Sequence, residues 1–342
     1  MRGMNVAVYA QLLVVQWLLI TGVRTSAKLD ARQTTTVFYN ADLATTTGEA
    51  NTELSWSWDK ANTRAFQQPS DVTVTHYHID DNQERVDSAA YQYYCQPELC
   101  IRRNSVGEEL VLKHVACAFN GSFSAQCPPG RMILTMDSQL RQFVVDIHNQ
   151  MRDALARGAD VNFSFEPASR MPTVTWDDEL ANLAEINIRS CKLEHDECRS
   201  TARFLQAGQN LAIGSFYIEQ NIFDIVNNLT MLWFSEYKDA VQEILDHYTT
   251  EYNATIGHFT QMISDRTTAV GCGIMIYPKR TEDFVFKVIL YACNYAITNI
   301  VGQSVYRKGE TASRCVTGNN AKYPGLCSAE ENKFIKAISA YV

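Results

Sequence analysis

Ten cysteines, all after Tyr94, constrain this chain of 342 residues more than any other feature. Their number is even, and no two are spaced as Cys-x-x-Cys, the pattern that zinc sites favour. Cystines persist in oxidising compartments and not in the cytosol, so the count reads as five disulfides in an exported protein. Cys95, Cys100, Cys117 and Cys127 crowd together, which predicts a loop block stapled by disulfides instead of a large local core.

The start of the chain agrees with export. Arg2 precedes an apolar run from Val6 to Val23, and Thr25, Ser26 and Ala27 suit a signal-peptidase cut. Residues 1–27 therefore read as a signal peptide and not as a membrane anchor. No later stretch is long and apolar enough to span a bilayer, so no transmembrane anchor is expected, and KFIKAISAYV is too short for a GPI tail. Sequons at Asn120, Asn162, Asn228 and Asn253 are candidate glycosylation sites on the same route. The formal charge is −8, and loss of Arg2 and Arg24 with the signal makes it −10. No Lys/Arg cluster offsets this, which argues against nucleic acid and anionic membrane as partners.

Residues 28–94 hold no cysteine and ten threonines, with triplets at Thr34–Thr36 and Thr45–Thr47. So polar a segment buries too little apolar surface to offset its chain entropy, and it reads as a largely disordered, low-complexity arm. Trp56 and Trp58 are candidate anchors. His76 and His78 read as solvated histidines in preference to metal ligands.

Periodicity then marks a helix. Leu140, Phe143, Val144, Ile147, Met151 and Leu155 repeat at i, i+3, i+4, with Asp137 or Ser138 as the cap and Gly158 as the stop. A second helix is expected over 176–191, with Asp177, Asp178 and Glu179 at its positive end. A third is expected over 219–240 on the stripe Ile222, Ile225, Val226, Leu229 and Trp233. Glu236 either continues that stripe inward, where a carboxylate needs a partner, or lies beyond its end in solvent. Apolar β-formers at 270–277 and 284–295 read as an antiparallel hairpin, with Cys272 and Cys293 one on each strand. Helices with a hairpin predict an α+β layered domain.

The same residues carry a family resemblance. GHFTQM (Gly257–Met262) and CNYA (Cys293–Ala296) resemble the two signatures of the CAP superfamily: cysteine-rich secretory, antigen 5 and pathogenesis-related proteins. HNQMRDALARG from His148, MPTVTWDDELANLA from Met171, GQNLA from Gly208 and WFSE at Trp233–Glu236 extend the match in order. It covers residues 95–300, leaving 301–342 as a C-terminal extension. YCQPELC, KHVAC and HDEC are most similar to insect antigen 5, a venom allergen.

The resemblance implies a three-layer α-β-α sandwich and the bridges Cys95–Cys117, Cys100–Cys198, Cys127–Cys191 and Cys272–Cys293. It leaves Cys315 and Cys327 to pair with each other. It also implies a cleft lined by His195, Gln209, Glu236 and His258. Gln209 stands where a glutamate is common in the family, and it cannot ionise or act as acid or base. His195 and His258 are candidate ligands for a divalent cation such as zinc. Catalytic zinc usually has three protein ligands, and HExxH and GxSxG are absent, so no enzyme is expected and a metal-dependent hydrolase is the lesser alternative. The resemblance implies a secreted, extracellular protein that binds a lipid, a sterol or another small apolar ligand. An extracellular protein partner, recognised through the arm 28–94 or the tail 301–342, is the alternative.

Overall fold

The computed structural model describes residues 34–36, 88–103, 107–158, 165–282 and 284–332. The signal 1–27, Trp56, Trp58, His76, His78 and Asn162 lie outside them. In chain order the elements are β1 (Thr34–Thr36), β2 (Ile101–Arg103), β3 (Glu109–Val111), β4 (Met132–Leu134) and α1 (Ser138–Arg157). Then come β5 (Thr175–Trp176), α2 (Asp178–Ile188), β6 (Gly208–Phe216) and α3 (Ile222–Ser235). α4 (Gln242–Asp246), α5 (Gly257–Ile263), β7 (Ala269–Arg280) and β8 (Val285–Tyr295) complete the set.

α1 forms where its periodicity places it. Asp137 accepts from Leu140 N at 2.8 Å, satisfying one of the amides that a helix start leaves free. Gly158 ends the helix at φ 65°, and a Cβ there would stand 2.6 Å from the Pro167 ring. The main sheet runs β1-β6-β8-β7-β4, with β5 also beside β7. β7 and β8 are antiparallel partners, and Cys272 faces Cys293 across them.

Alternation along the strands splits the core into two layers. Val270, Cys272, Ile274 and Ile276 of β7 face Leu140, Val144 and Ile147 of α1 and the apolar side of α3. Met275 and Tyr277 turn the other way, toward Ala184 and Ile188 of α2. The protein is thus an α-β-α sandwich, with α1, α3 and α5 on one face of the sheet and α2 on the other. Cys95–Cys117 staples the N-terminal block internally, Cys100–Cys198 and Cys127–Cys191 fasten that block to the loop that follows α2, and Cys315–Cys327 closes a loop in the tail.

Two sequence readings need correction, and segments on either side of residues 95–300 also carry described structure. β6 was not read as a strand: it is buried on both faces, so it lacks the polar alternation that marks a strand. The third helix is shorter than 219–240, ending at Ser235 before a 3-10 turn over Glu236–Asp239. Within residues 28–94, β1 pairs in parallel with β6, and Ser88–Cys95 form a 3-10 helix that starts in the arm. The tail beyond residue 300 also packs on the domain. Tyr323 and Leu326 enter the main core, and the fully buried Glu331 pairs with Arg170 at 2.8 Å.

Candidate functional site

The four residues of the predicted cleft fall into two hydrogen-bonded pairs. His195 lies in the loop after α2, which is bridged to the N-terminal block by Cys198 and fixed by Asn187 donating to Glu194 O and to Asp196. Gln209 is on β6. Its amide nitrogen donates to Asp196 Oδ2 at 3.0 Å and to Asn294 Oδ1 at 2.9 Å, so its oxygen must be the atom facing His195 Nδ1 at 2.7 Å. An amide oxygen only accepts, so Nδ1 carries the proton and Nε2 keeps its lone pair. Burial, aided by the Arg199 cation, pulls His195 down to about 4, which leaves the ring neutral at pH 7.

The second pair joins α5 to the end of α3. The Glu236 carboxylate accepts from His258 Nδ1 at 2.6 Å, from His258 N at 2.9 Å and from Phe259 N at 3.1 Å. It therefore caps α5 from across the structure, neutralising amides at the positive end of that helix. Glu236 does face inward, with 11% of its side chain exposed, but from the 3-10 turn and not from the helical stripe. The ring of His258 stacks near Trp233, which stacks on Tyr291 at 4.9 Å. His195 and His258 are close enough to interact electrostatically. Nε2 of each is buried and meets no hydrogen-bond partner among the described residues.

Behind the pairs lies a polar network that sequence reasoning missed. Asn210 donates to His258 O and to the Tyr295 hydroxyl, which sits 3.0 Å from His148 Nε2. His148 donates from Nδ1 to Val144 O, and complete burial holds it down at about 4. Arg152 is fully buried and donates to the carbonyls of Pro172, Met262, Ser264 and Thr267, tying the C-terminal end of α5 to α1. The only signal of these roles was that polar residues sit inside apolar periodic runs.

Cys100, His114 and Cys198 bring metal-type atoms together, but they do not make a metal centre. The two sulfurs are bonded to each other and offer no thiolate. Both nitrogens of His114 are engaged, with Ser200 O at 2.8 Å and with Ala116 N at 3.0 Å.

Residues 145–295 match the model of CAP, the cysteine-rich secretory protein family. Venom allergen-1 of Aedes albopictus is 39% identical over 245 residues, which cover 71% of this chain and 90% of that protein. The chain belongs to the CAP family. Within it the likeness is to antigen 5: Antigen 5 like allergen Cul n 1 of Culicoides nubeculosus is 40% identical over 183 residues, 53% of this chain and 82% of that one. Among solved structures, NaASP2 with Zn2+ is 25% identical at a TM-score of 0.46, covering 59% of this chain and 100% of that one. The signatures GHFTQM and CNYA of this CAP domain are α5 and the end of β8 with the residue after it.

Proposed function

We propose that this CAP protein is secreted and binds a small apolar ligand outside the cell without chemically changing it. The observation that carries the reading is that neither Glu236 nor Gln209 is free to act as an acid or base. Glu236 spends its carboxylate on three hydrogen bonds, and Gln209 cannot ionise. Five disulfides and the apolar start of the chain support export.

The cleft fits a divalent cation in a limited sense. His195 and His258 each present an unpartnered Nε2, with Gln209 and Glu236 orienting the rings as outer partners do at metal sites. Zinc bound there would supply Lewis acidity, but two imidazoles are fewer than the three protein ligands of catalytic zinc.

Native mass spectrometry of protein secreted from insect cells, with and without chelator, tests the reading. An adduct of lipid mass that survives chelation supports it. Hydrolysis of an ester or peptide substrate that is lost on chelation and in His258→Ala would overturn it. A protein partner is a second reading, favoured by the half-exposed apolar cluster of Tyr217, Ile218, Phe284 and Val285. Capture of a partner that is lost in a Tyr217→Ser/Phe284→Ser variant would support that reading.

A further inference from the structure

Away from the histidines, α1, the Thr173–Trp176 segment and the tail line a groove of about 440 Å3, a size that suits a small molecule. Its apolar lining comes from Val145 on α1, Val174 and Trp176 around β5, and Tyr323 of the tail. The groove exists because the tail is docked. Tyr323 donates to Asp146 at 2.7 Å, Gly325 N donates to Asp153 at 2.6 Å, and Cys327 N donates to Met171 O at 2.8 Å.

Two cations also line it, each riding on an aromatic ring. Arg141 lies over Trp176, 5.6 Å from the ring centroid, and Lys322 lies over Tyr323 at 5.2 Å. Their side chains are 42% and 51% exposed. Arg141 pairs with Asp178 at 2.6 Å and Lys322 with Asp146 at 2.8 Å, which fixes both without using all their donors. Arg141 Nη2 meets no partner among the described residues, and the Lys322 ammonium meets one carboxylate there. Asp146 is the one carboxylate in the lining, and a single oxygen of it already takes Lys322, Tyr323 and Gln142. A cationic ligand would find only the second oxygen of Asp146 in the lining and would face both Arg141 and Lys322. An anionic ligand would meet free donors.

We propose that this groove binds a small amphipathic organic anion. Its apolar body would lie on Val145, Val174, Trp176 and Tyr323, and its single carboxylate or sulfonate head would be held by Arg141 and Lys322. The proposal rests on the binding reading above and names the ligand class and the place. It also gives the tail a role, since without Tyr323 and Lys322 the groove has neither its second ring nor its second cation.

The test is fluorescence titration of the full secreted chain with 8-anilinonaphthalene-1-sulfonate, with 4-phenylbutyrate and tryptamine as anionic and cationic competitors. The expected result is displacement by phenylbutyrate and not by tryptamine, affinity that falls with added salt, and at least a tenfold loss in Arg141→Gln/Lys322→Gln. Lys322→Gln alone changes only a half-exposed side chain and should weaken binding several-fold with an unaltered thermal midpoint. Unchanged affinity in the double variant, or stronger competition by tryptamine, would overturn the proposal. The two readings fail separately. A copurifying lipid retained by the double variant keeps the binding function and removes this groove. A groove that binds the dye as described, in protein that arrives without any apolar ligand, counts against the natural function alone.

Discussion

Glu236→Gln separates a carboxylate that holds a helix from one kept ready as a base. The native group accepts three hydrogen bonds, two from amides at the start of α5 and one from His258 Nδ1. Glutamine keeps the shape but offers one accepting oxygen: if that oxygen keeps the two amides, its NH2 faces Nδ1, which can accept only by shifting the ring proton to Nε2, a buried atom with no partner among the described residues. A buried donor left without an acceptor costs about 1–3 kcal/mol, and losing negative charge at a helix N-terminus adds about 0.3–1 kcal/mol. The expected loss is therefore about 1–4 kcal/mol, the upper half applying because the site is nearly buried. Urea unfolding at pH 7 with disulfides intact measures it as a lower midpoint at constant slope. A change below about 0.5 kcal/mol, the range of an ordinary surface substitution, would refute the capping argument and return Glu236 to candidacy as a general base.

Three further outcomes follow from the packing. His148 sits near 4 in the folded protein and near 6.5 when unfolded, so the unfolded chain takes up the proton first; stability is full above about pH 6.5 and falls by about 3 kcal/mol toward pH 4. His148→Gln should flatten that slope in a pH series of unfolding curves, and an unaltered slope would sink the assignment. Gly271→Ala would place a Cβ 2.3 Å from both Ala181 N and Asp177 O, backbone that cannot swing aside, so α2 must shift. A loss of about 1–3 kcal/mol is expected from such overpacking, and an unchanged melting temperature would contradict the close approach. Cys315→Ser with Cys327→Ser opens the tail loop and should lower stability by about 2–3 kcal/mol. Faster amide exchange should appear first in the tail, and exchange rates equal to the parent would show that docking does not need the bridge.

Much of the framework was legible from local pattern. The stripe from Leu140 to Leu155 with its cap and stop residues, and the two β-rich runs that become β7 and β8, need only neighbours in sequence to be recognised. β6 escaped the same reasoning because Gly208, Asn210 and Gly214 dilute its β-propensity and burial on both faces removes its alternation. Glu236 stayed undecided between core and solvent for a related reason. Its environment is set by α5, a neighbour twenty-odd residues later that no periodicity reveals.

The amino-acid sequence by itself determined the even set of cysteines, the helical stripe of α1, the hairpin and the presence of Gln209 where no proton can be exchanged. These follow from residue identity and short-range spacing. Only the tertiary structure decided that Gln209 and Glu236 each hold a histidine by Nδ1, that Glu331 and Tyr323 draw the tail into the core, and that Arg141 and Lys322 come to line one groove. Each of these is a contact between segments far apart in the chain. Its strength depends on burial and on the direction of a hydrogen bond, and neither is written in the order of the residues.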